Sequence, residues 1–453
     1  MKAWLEKQPD SIAYYISFTE NASTSEAIWQ IGKALGYENI TTFEELRPLL
    51  QNGLYYLDNL ESLAESSEGI AFLRELKNCP EIRILASSRV AIPLLMRNIK
   101  VEQLPIEFAI QLFCNTWTGQ EKLLNISELQ EFLIEKLRCH PLSIILIATL
   151  GESYTLEKLT SLWNEKGIAL AKVEYDSNRL GNLSISLHIT SDMLAEKYPS
   201  ALILWGLASL FPQGISSTEI ELLNEEDSLY SDEDLKHLTR HHILTRTGEH
   251  YKVLPPVARF ALDNATIEAN GFSWKIIKKI FINLTFPIIA TADQIISTQE
   301  SLDARRVLIY LFPAIHQFVL TEIRQPDPNL SMLVDLNTAL RNLYMYNVLL
   351  SREILRELYP CLKSKNWSNS IDIANTLSAW GNLESRLDNV DRAQNLYEQA
   401  TKLYREKEDE LGLANTLSAL GTLRGQLTKR KKSYVKDGMR IGGRSDFLIG
   451  LGD

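Results

Sequence analysis

Over residues 1–105, short apolar runs alternate with stretches whose apolar positions recur at helical spacing, the signature of a parallel sheet with crossover helices. Ile12-Ala13-Tyr14-Tyr15-Ile16-Ser17-Phe18 predicts a strand. Ser23 with Glu26 forms a capping-box signal, Ile28, Ile31 and Leu35 then share one helical face, and Gly36 predicts the stop. Thr42 with Glu45 repeats that signal ahead of Leu46, Leu49 and Leu50, with Gly53 ending the helix. Leu54–Leu57 and Ile82–Ala86 predict two further strands, and Ile70, Leu73 and Leu76 an amphipathic helix between them. From about residue 106 the strand signals fade. Helical patterns over Phe108–Trp117, Glu128–Leu137 and Pro141–Leu150 predict a small helical domain. Residues 180–265 give helices broken at Phe211-Pro212-Gln213-Gly214 and end in Tyr251–Leu254, which predicts a β-wing. The segment 270–365 reads as mostly helical, with Pro326-Asp327-Pro328-Asn329 as its clearest breaker.

Near the C-terminus the chain repeats itself. Ala374-Asn375-Thr376-Leu377-Ser378-Ala379-Trp380-Gly381 recurs as Ala414-Asn415-Thr416-Leu417-Ser418-Ala419-Leu420-Gly421, a period of 40 with one difference. In the first copy Leu377, Trp380-Gly381, Ala393, Tyr397 and Ala400 sit where a helix pair needs small residues for close approach and large ones for the groove. This resembles the tetratricopeptide repeat, with longer helices. The second copy departs from it: Ser433, Asp437 and Arg440 stand where the repeat asks for Ala, an aromatic residue and Ala. Residues 429–444 carry Lys429, Arg430, Lys431, Lys432, Lys436, Arg440 and Arg444 against Asp437 alone. That charge balance reads as a solvated or out-of-frame end to the array in preference to a tail for nucleic acid or membrane.

Composition narrows the class. The 453 residues, 45% hydrophobic and 23% charged, suffice for about three domains with ordinary cores. Gly 21 and Pro 15 exclude collagen-like and low-complexity chains. Cys79, Cys114, Cys139 and Cys361 form no CxxC pair, so neither a disulfide framework nor a clustered zinc site is indicated. The segment Met1–Asp10 lacks the apolar core of a signal peptide, and no apolar run approaches the ~18 residues of a membrane helix, so a cytoplasmic location is expected. A pI of 5.4 argues against a general nucleic-acid binder.

The chemistry-bearing residues lie at strand ends. Leu54–Leu57 runs into Asp58-Asn59, and an acid at the C-terminal tip of a buried parallel strand faces the crevice where ligands bind and can hold Mg²⁺ directly or through water. The same residue type also ends strands simply to cap the next helix. Ile84-Leu85-Ala86-Ser87-Ser88-Arg89 then places small hydroxyls and an arginine at the same sheet edge, where a guanidinium can fork onto a terminal phosphate.

The succession Tyr55-Tyr56-Leu57-Asp58-Asn59-Leu60-Glu61, Leu85-Ala86-Ser87-Ser88-Arg89, Val101-Glu102-Gln103-Leu104 and Arg138-Cys139-His140-Pro141-Leu142-Ser143 resembles the NB-ARC type of STAND signalling ATPases. The resemblance implies, in that order, the Walker B strand, the sensor arginine, the entry to a helical ARC domain, and a Gly-Leu-Pro-Leu-like motif whose proline packs near adenine. Leu207–Pro212 through Tyr251–Ala261 looks like the family's winged-helix domain. It implies ATP or ADP as ligand through Asp58, Arg89 and Pro141, Mg²⁺ on Asp58, and Asp58 and Arg89 as the catalytic pair where the site is retained.

The departures are equally specific. No Gly-x-x-x-x-Gly-Lys-Ser/Thr occurs; Ile31-Gly32-Lys33-Ala34 lacks the first Gly and the hydroxyl and falls inside a helical pattern. The resemblance puts the family's first strand, phosphate loop and following helix ahead of the residues matching Pro9–Phe18, so an N-terminally truncated nucleotide domain is expected. Leu254-Pro255-Pro256 replaces the family's Met-His-Asp, and Cys139-His140-Pro141-Leu142 keeps only the proline and leucine of its counterpart. His237 and His241, four apart, lack the other ligands of a zinc site. In the winged helix Lys236, Arg240, His241, His242 and Arg246 are offset by Glu225, Glu226, Asp227, Asp232, Glu233 and Asp234, which favours a packing module over a DNA reader.

The expected architecture is therefore multidomain: a partial α/β P-loop-type parallel sheet over 1–105, an all-α helical domain over 106–178, a winged helix over 179–265, a helical linker over 266–368, tetratricopeptide-like repeats over 369–428 and a basic tail over 429–453. The expected function is an NB-ARC-like STAND regulator, weak or inactive in hydrolysis, with nucleotide lost altogether as the other outcome. Protein partners are expected on the repeats, and self-association follows from the family's open state. The alternatives are a nucleotide-independent repeat scaffold and a winged-helix transcription regulator.

Overall fold

The computed structural model describes residues 12–18, 24–37, 42–65, 67–88, 101–119, 125–171, 179–224, 230–295, 301–341, 348–365, 367–387 and 389–425, with the single positions 40, 92, 99 and 344. The protein is mostly helical and divides into two compact units, one formed by 1–100 with 351–453 and the other by 101–350.

The first unit opens with strand β1 (Ala13–Ser17), helices α1 (Thr24–Ala34) and α2 (Phe43–Leu46), strand β2 (Gly53–Asp58), helices α3 (Glu61–Glu65) and α4 (Ser67–Lys77), and strand β3 (Ile82–Ala86). The strands make a parallel sheet in the order β1-β2-β3, with Ser17 opposite Asp58 and Leu57 opposite Ala86. All three strands fall where the apolar runs predict them. Thr42 and Glu45 form the expected capping box, each backbone N–H donating to the other's side chain at 3.3 Å. Ser23, the other expected cap, lies outside the described residues.

Side chains alternate across a strand, so the sheet has two unlike faces. Ile16, Tyr55, Leu57 and Ile82 pack with Ile28 and Ile31 of α1 and Phe72, Leu73 and Leu76 of α4 into one core. Each such buried aliphatic or aromatic side chain contributes about 1.5–3 kcal/mol. Tyr15 and Leu85, between those positions, remain 53% and 45% exposed.

The same unit holds, from Ser351 on, helix α17 (Val348–Ser364, counted after the helices of the second unit), and α18 (Ser370–Arg386), α19 (Val390–Glu406) and α20 (410–425). The two repeated octapeptides lie in α18 and α20. Gly381 lets α19 approach: a Cβ there would meet the Tyr397 ring at 2.7 Å, and Tyr397 donates to Asn382 Oδ1 at 2.8 Å. At the equivalent Gly421 no described atom lies within 4 Å. Ser378 and Thr416 hydrogen-bond at 3.1 Å between the two copies. Fully buried Glu384 accepts from Trp380 Nε1 and Arg352 Nε, both at 2.8 Å, and from Asn389 Nδ2 at 2.6 Å, tying three helices together.

The second unit begins with α5 (Ile106–Thr116), α6 (Ile126–Glu131), α7 (Pro141–Ala148) and α8 (Leu156–Ala171). The pattern over 128–137 predicts one regular helix; instead Phe132–Lys136 winds as a π-helix, with Leu137 N–H donating to Phe132 O at 3.1 Å. Next come α9 (Arg179–Lys197), α10 (Pro199–Ala208), β4 (Ile215–Ser216), α11 (Ser217–Asn224), α12 (Asp232–Arg240), β5 (Leu244–Thr247), β6 (His250–Val253) and α13 (Pro255–Thr266). The hairpin β5-β6 forms where Tyr251–Leu254 predicts a wing, and β4 completes an antiparallel sheet in the order β4-β6-β5. Helices α14 (Trp274–Ile295), α15 (Ser301–Ile323) and α16 (Leu330–Leu340) complete the unit. Among the described residues no helix is long and apolar enough to cross a membrane.

Candidate functional site

Asp58 is the last residue of β2, the middle strand of the parallel sheet, so its carboxylate stands at the carboxyl edge where ligands of open α/β sheets bind. Both carboxylate oxygens accept hydrogen bonds. Tyr15 Oη donates to Oδ2 at 2.8 Å, and Ser87 Oγ donates to Oδ1. The pairing is a consequence of register. Tyr15 lies opposite Tyr56, their rings stack at 5.5 Å, and the phenol extends along the strand to Asp58, two residues on and on the same face.

The following residue turns the chain. Asn59 adopts φ 67°, a left-handed conformation that Asn tolerates better than most residues, and its side chain donates to Phe18 O at 3.1 Å. Its backbone N–H donates to Ser87 Oγ at 3.2 Å, Phe18 N–H donates to Asp58 O at 3.0 Å, and Leu60 N–H to Ser87 O at 3.1 Å. The ends of β1, β2 and β3 are thereby pinned around one carboxylate. Buried Tyr55 donates to Gln51 O at 3.1 Å at the opposite end of β2, and burial pushes its pKa up.

Of the residues expected at the site, Arg89 lies outside the described residues, and Pro141 belongs to the other compact unit. Pro141 begins α7, where its missing N–H costs nothing. His140 caps that helix, Nδ1 accepting from Ser143 N–H at 3.3 Å. Arg138 and Cys139 before it both hold φ 49°; Cys139 thus occupies a left-handed position that favours glycine, the residue of the resembled motif there. Tyr15 is the site residue that sequence reasoning misses. Its signal was available only in the register: a tyrosine two residues short of the position opposite the acid reaches that acid.

Asp58 and the Ser87 hydroxyl offer oxygen ligands of the kind Mg²⁺ takes. The described residues at this edge provide no lysine and no glycine-rich loop of backbone N–H groups to cradle phosphates. Asp58 is their one carboxylate at this edge, and among the described residues no group of three or more His, Cys, Asp or Glu side chains could hold a metal ion.

The remaining candidates are engaged structurally. His237 stacks on Tyr198, ring centroids 3.6 Å apart. His241 is 3% exposed, its Nδ1 has no hydrogen-bond partner among the described residues, and burial with neighbouring His237, Arg240, His242 and Lys197 lowers its pKa to about 4. Lys236 pairs with Glu233, Arg240 with Glu152, and Asp234 caps its own helix through Ser231. A cleft of about 490 Å³ between α14 and the end of α15 is lined by Trp274, Lys278 and Pro326 among others, and buried Glu322 on its wall accepts from Trp274, Lys278 and Asn329 N–H.

No protein-family model matches the chain, and no curated protein matches it. Among solved structures, a signal-transduction ATPase with numerous domains (STAND) that carries a tetratricopeptide repeat sensor, from Pyrococcus horikoshii, is similar at 14% identity over 95% of this chain and 77% of that one, with a TM-score of 0.35. A Walker-type ATPase of Pyrococcus abyssi is similar at 14% identity over 56% of this chain and 85% of that one, with a TM-score of 0.25.

Proposed function

We propose that the chain is an NB-ARC-like STAND regulator whose sheet keeps the acidic strand end of a nucleotide site while its helical repeats carry a protein partner. The observation that carries the reading is the Asp58–Ser87 pair: an acid on the middle strand of a parallel sheet and a hydroxyl on the next strand share a hydrogen bond at the carboxyl edge. Arg89 is assigned as the phosphate-facing cation and Pro141 as the adenine-side contact, by resemblance. The helix, strand, two helices and hairpin over 199–253 act as a winged helix, and α18–α20 as tetratricopeptide-like repeats. Hydrolysis is weak or absent, because phosphoryl transfer rests on positioning and charge neutralisation by a phosphate cradle. The protein works in the cytoplasm, and self-association accompanies its open state.

Equilibrium titration with ADP or ATP and Mg²⁺ tests this directly. Binding in the millimolar range or tighter is expected, with Asp58→Ala and Arg89→Ala each weakening it about tenfold or more. Absence of binding at millimolar nucleotide refutes the switch, and indifference of both variants refutes the site.

One observation favours a second reading, the nucleotide-independent scaffold: both Asp58 oxygens already accept hydroxyl hydrogen bonds. The transcription-regulator reading is not favoured. Lys236 and Arg240 on α12 are held by Glu233 and Glu152, and the first turn of that helix is acidic.

A further inference from the structure

We propose that the face of α20 formed by Ala414, Leu417 and Gly421 docks a helix of a partner protein that carries Ala, Tyr, Ala and Tyr at positions i, i+4, i+7 and i+11. The inference rests on reading the repeats as the partner-bearing arm. The two copies of the octapeptide show one face in two environments. In α18, Ala374, Leu377 and Gly381 are buried, and α19 is the helix that meets them at Gly381. The Tyr397 ring fills the space that a Cβ at Gly381 would take, its hydroxyl donates to Asn382 Oδ1, and one face further along Tyr404 donates to Asn375 Oδ1, both at 2.8 Å. In α20 the opposite side is packed, with Leu420 and Leu423 against Ala393 and Tyr397. Yet Ala414, Asn415 and Gly421 are exposed, and Leu417 is 40% exposed where Leu377 is 1% exposed.

The same residues at the same spacing accept the same kind of helix, so α19 states what covers this face: Ala393, Tyr397, Ala400 and Tyr404 give the pattern. The chain's own continuation does not carry it, since Ser433, Asp437, Arg440 and Arg444 stand at the four equivalent positions. Two substitutions between the copies set one more feature of the partner. Arg392 of α19 reaches Glu384 at 3.5 Å and lies over the Trp380 ring at 4.8 Å. The equivalents in α20 are Arg424 and Leu420, so a cation at that place loses both its carboxylate and its ring and meets an arginine. The partner therefore carries an acid directly before its first alanine. That requirement separates it from a second copy of this chain, whose α19 has arginine there and is already packed against α20.

The probe is a synthetic peptide with the sequence Val390–Glu406 carrying Arg392→Glu, with a diazirine photo-label at its C-terminus, the end that Tyr404 sets beside Asn375. Calorimetric titration of the full chain is expected to show binding in the micromolar range, about threefold or more tighter than by the same peptide with Arg392 kept. Gly421→Ala adds the methyl that at Gly381 would meet the tyrosine ring, and alanine suits a helix interior, so the fold is retained while binding weakens about tenfold. The peptide carrying Tyr397→Ala weakens by a similar factor, and cross-links fall within 410–421. Equal binding by wild type and Gly421→Ala, or cross-links within 370–406, would overturn the face and leave the repeats as the partner arm. Cross-links only outside 370–425 would overturn that reading as well. Absence of binding by the full chain would overturn the partner helix, the face then belonging to residues 426–453 if the chain sediments as a monomer and to a second copy if it sediments as a dimer that Gly421→Ala dissociates.

Discussion

At the residue scale the molecule keeps its ionisable groups neutral or paired where they are buried. His241 is the sharpest case. Its pKa is lowered to about 4 from 6.5 by burial and by the cationic neighbours His237, Arg240, His242 and Lys197. The unfolded chain therefore binds a proton that the folded one refuses between these two values. Stability is unaffected by His241 above pH 6.5 and falls as the pH drops from 6.5 towards 4, by about 3 kcal/mol in all. Urea midpoints of wild type and His241→Leu at pH 7.5 and 4.5 should show a steeper acid loss in the wild type. Equal losses would contradict the assignment. The lowered pKa was not legible in the sequence, where His237 and His241 show only a spacing; the packing that buries one and stacks the other on Tyr198 comes from sequence-distant residues.

At the scale of elements, local signals were legible and their partners were not. The three strands, the Thr42–Glu45 cap and the β5-β6 hairpin follow from alternation, capping chemistry and turn residues close in sequence. The π-turn at Phe132–Lys136 and the left-handed pair Arg138-Cys139 did not announce themselves, because both depend on how the helix end packs. Asp58 was legible as a strand-end acid, whereas its bond to Tyr15 required the β1-β2 register. The octapeptide repeat makes a paired prediction. Gly381→Ala drives a methyl into the Tyr397 ring and should destabilise by about 1–3 kcal/mol. Gly421→Ala, mid-helix with no described atom within 4 Å, should stabilise by about 0.5–1 kcal/mol. Thermal melts of the two variants check the opposite signs; a shared sign would mean that the two helices are packed alike.

At the scale of the whole molecule, two compact units hold different kinds of residue. The one formed by 1–100 with 351–453 carries the acidic strand end and the repeats, and 101–350 carries the helices and the antiparallel hairpin. The proposed regulator requires that ligand at Asp58 be felt as stability of the folded chain, since any ligand that binds only the native state stabilises it by mass action. Melting temperature with and without ADP and Mg²⁺ at about ten times their dissociation constant, in wild type and in Asp58→Ala, is the most direct test. The expected result is an increase of about 2–4 °C in the wild type that is absent in Asp58→Ala. No increase in the wild type, or an equal increase in both proteins, would contradict a nucleotide site at Asp58.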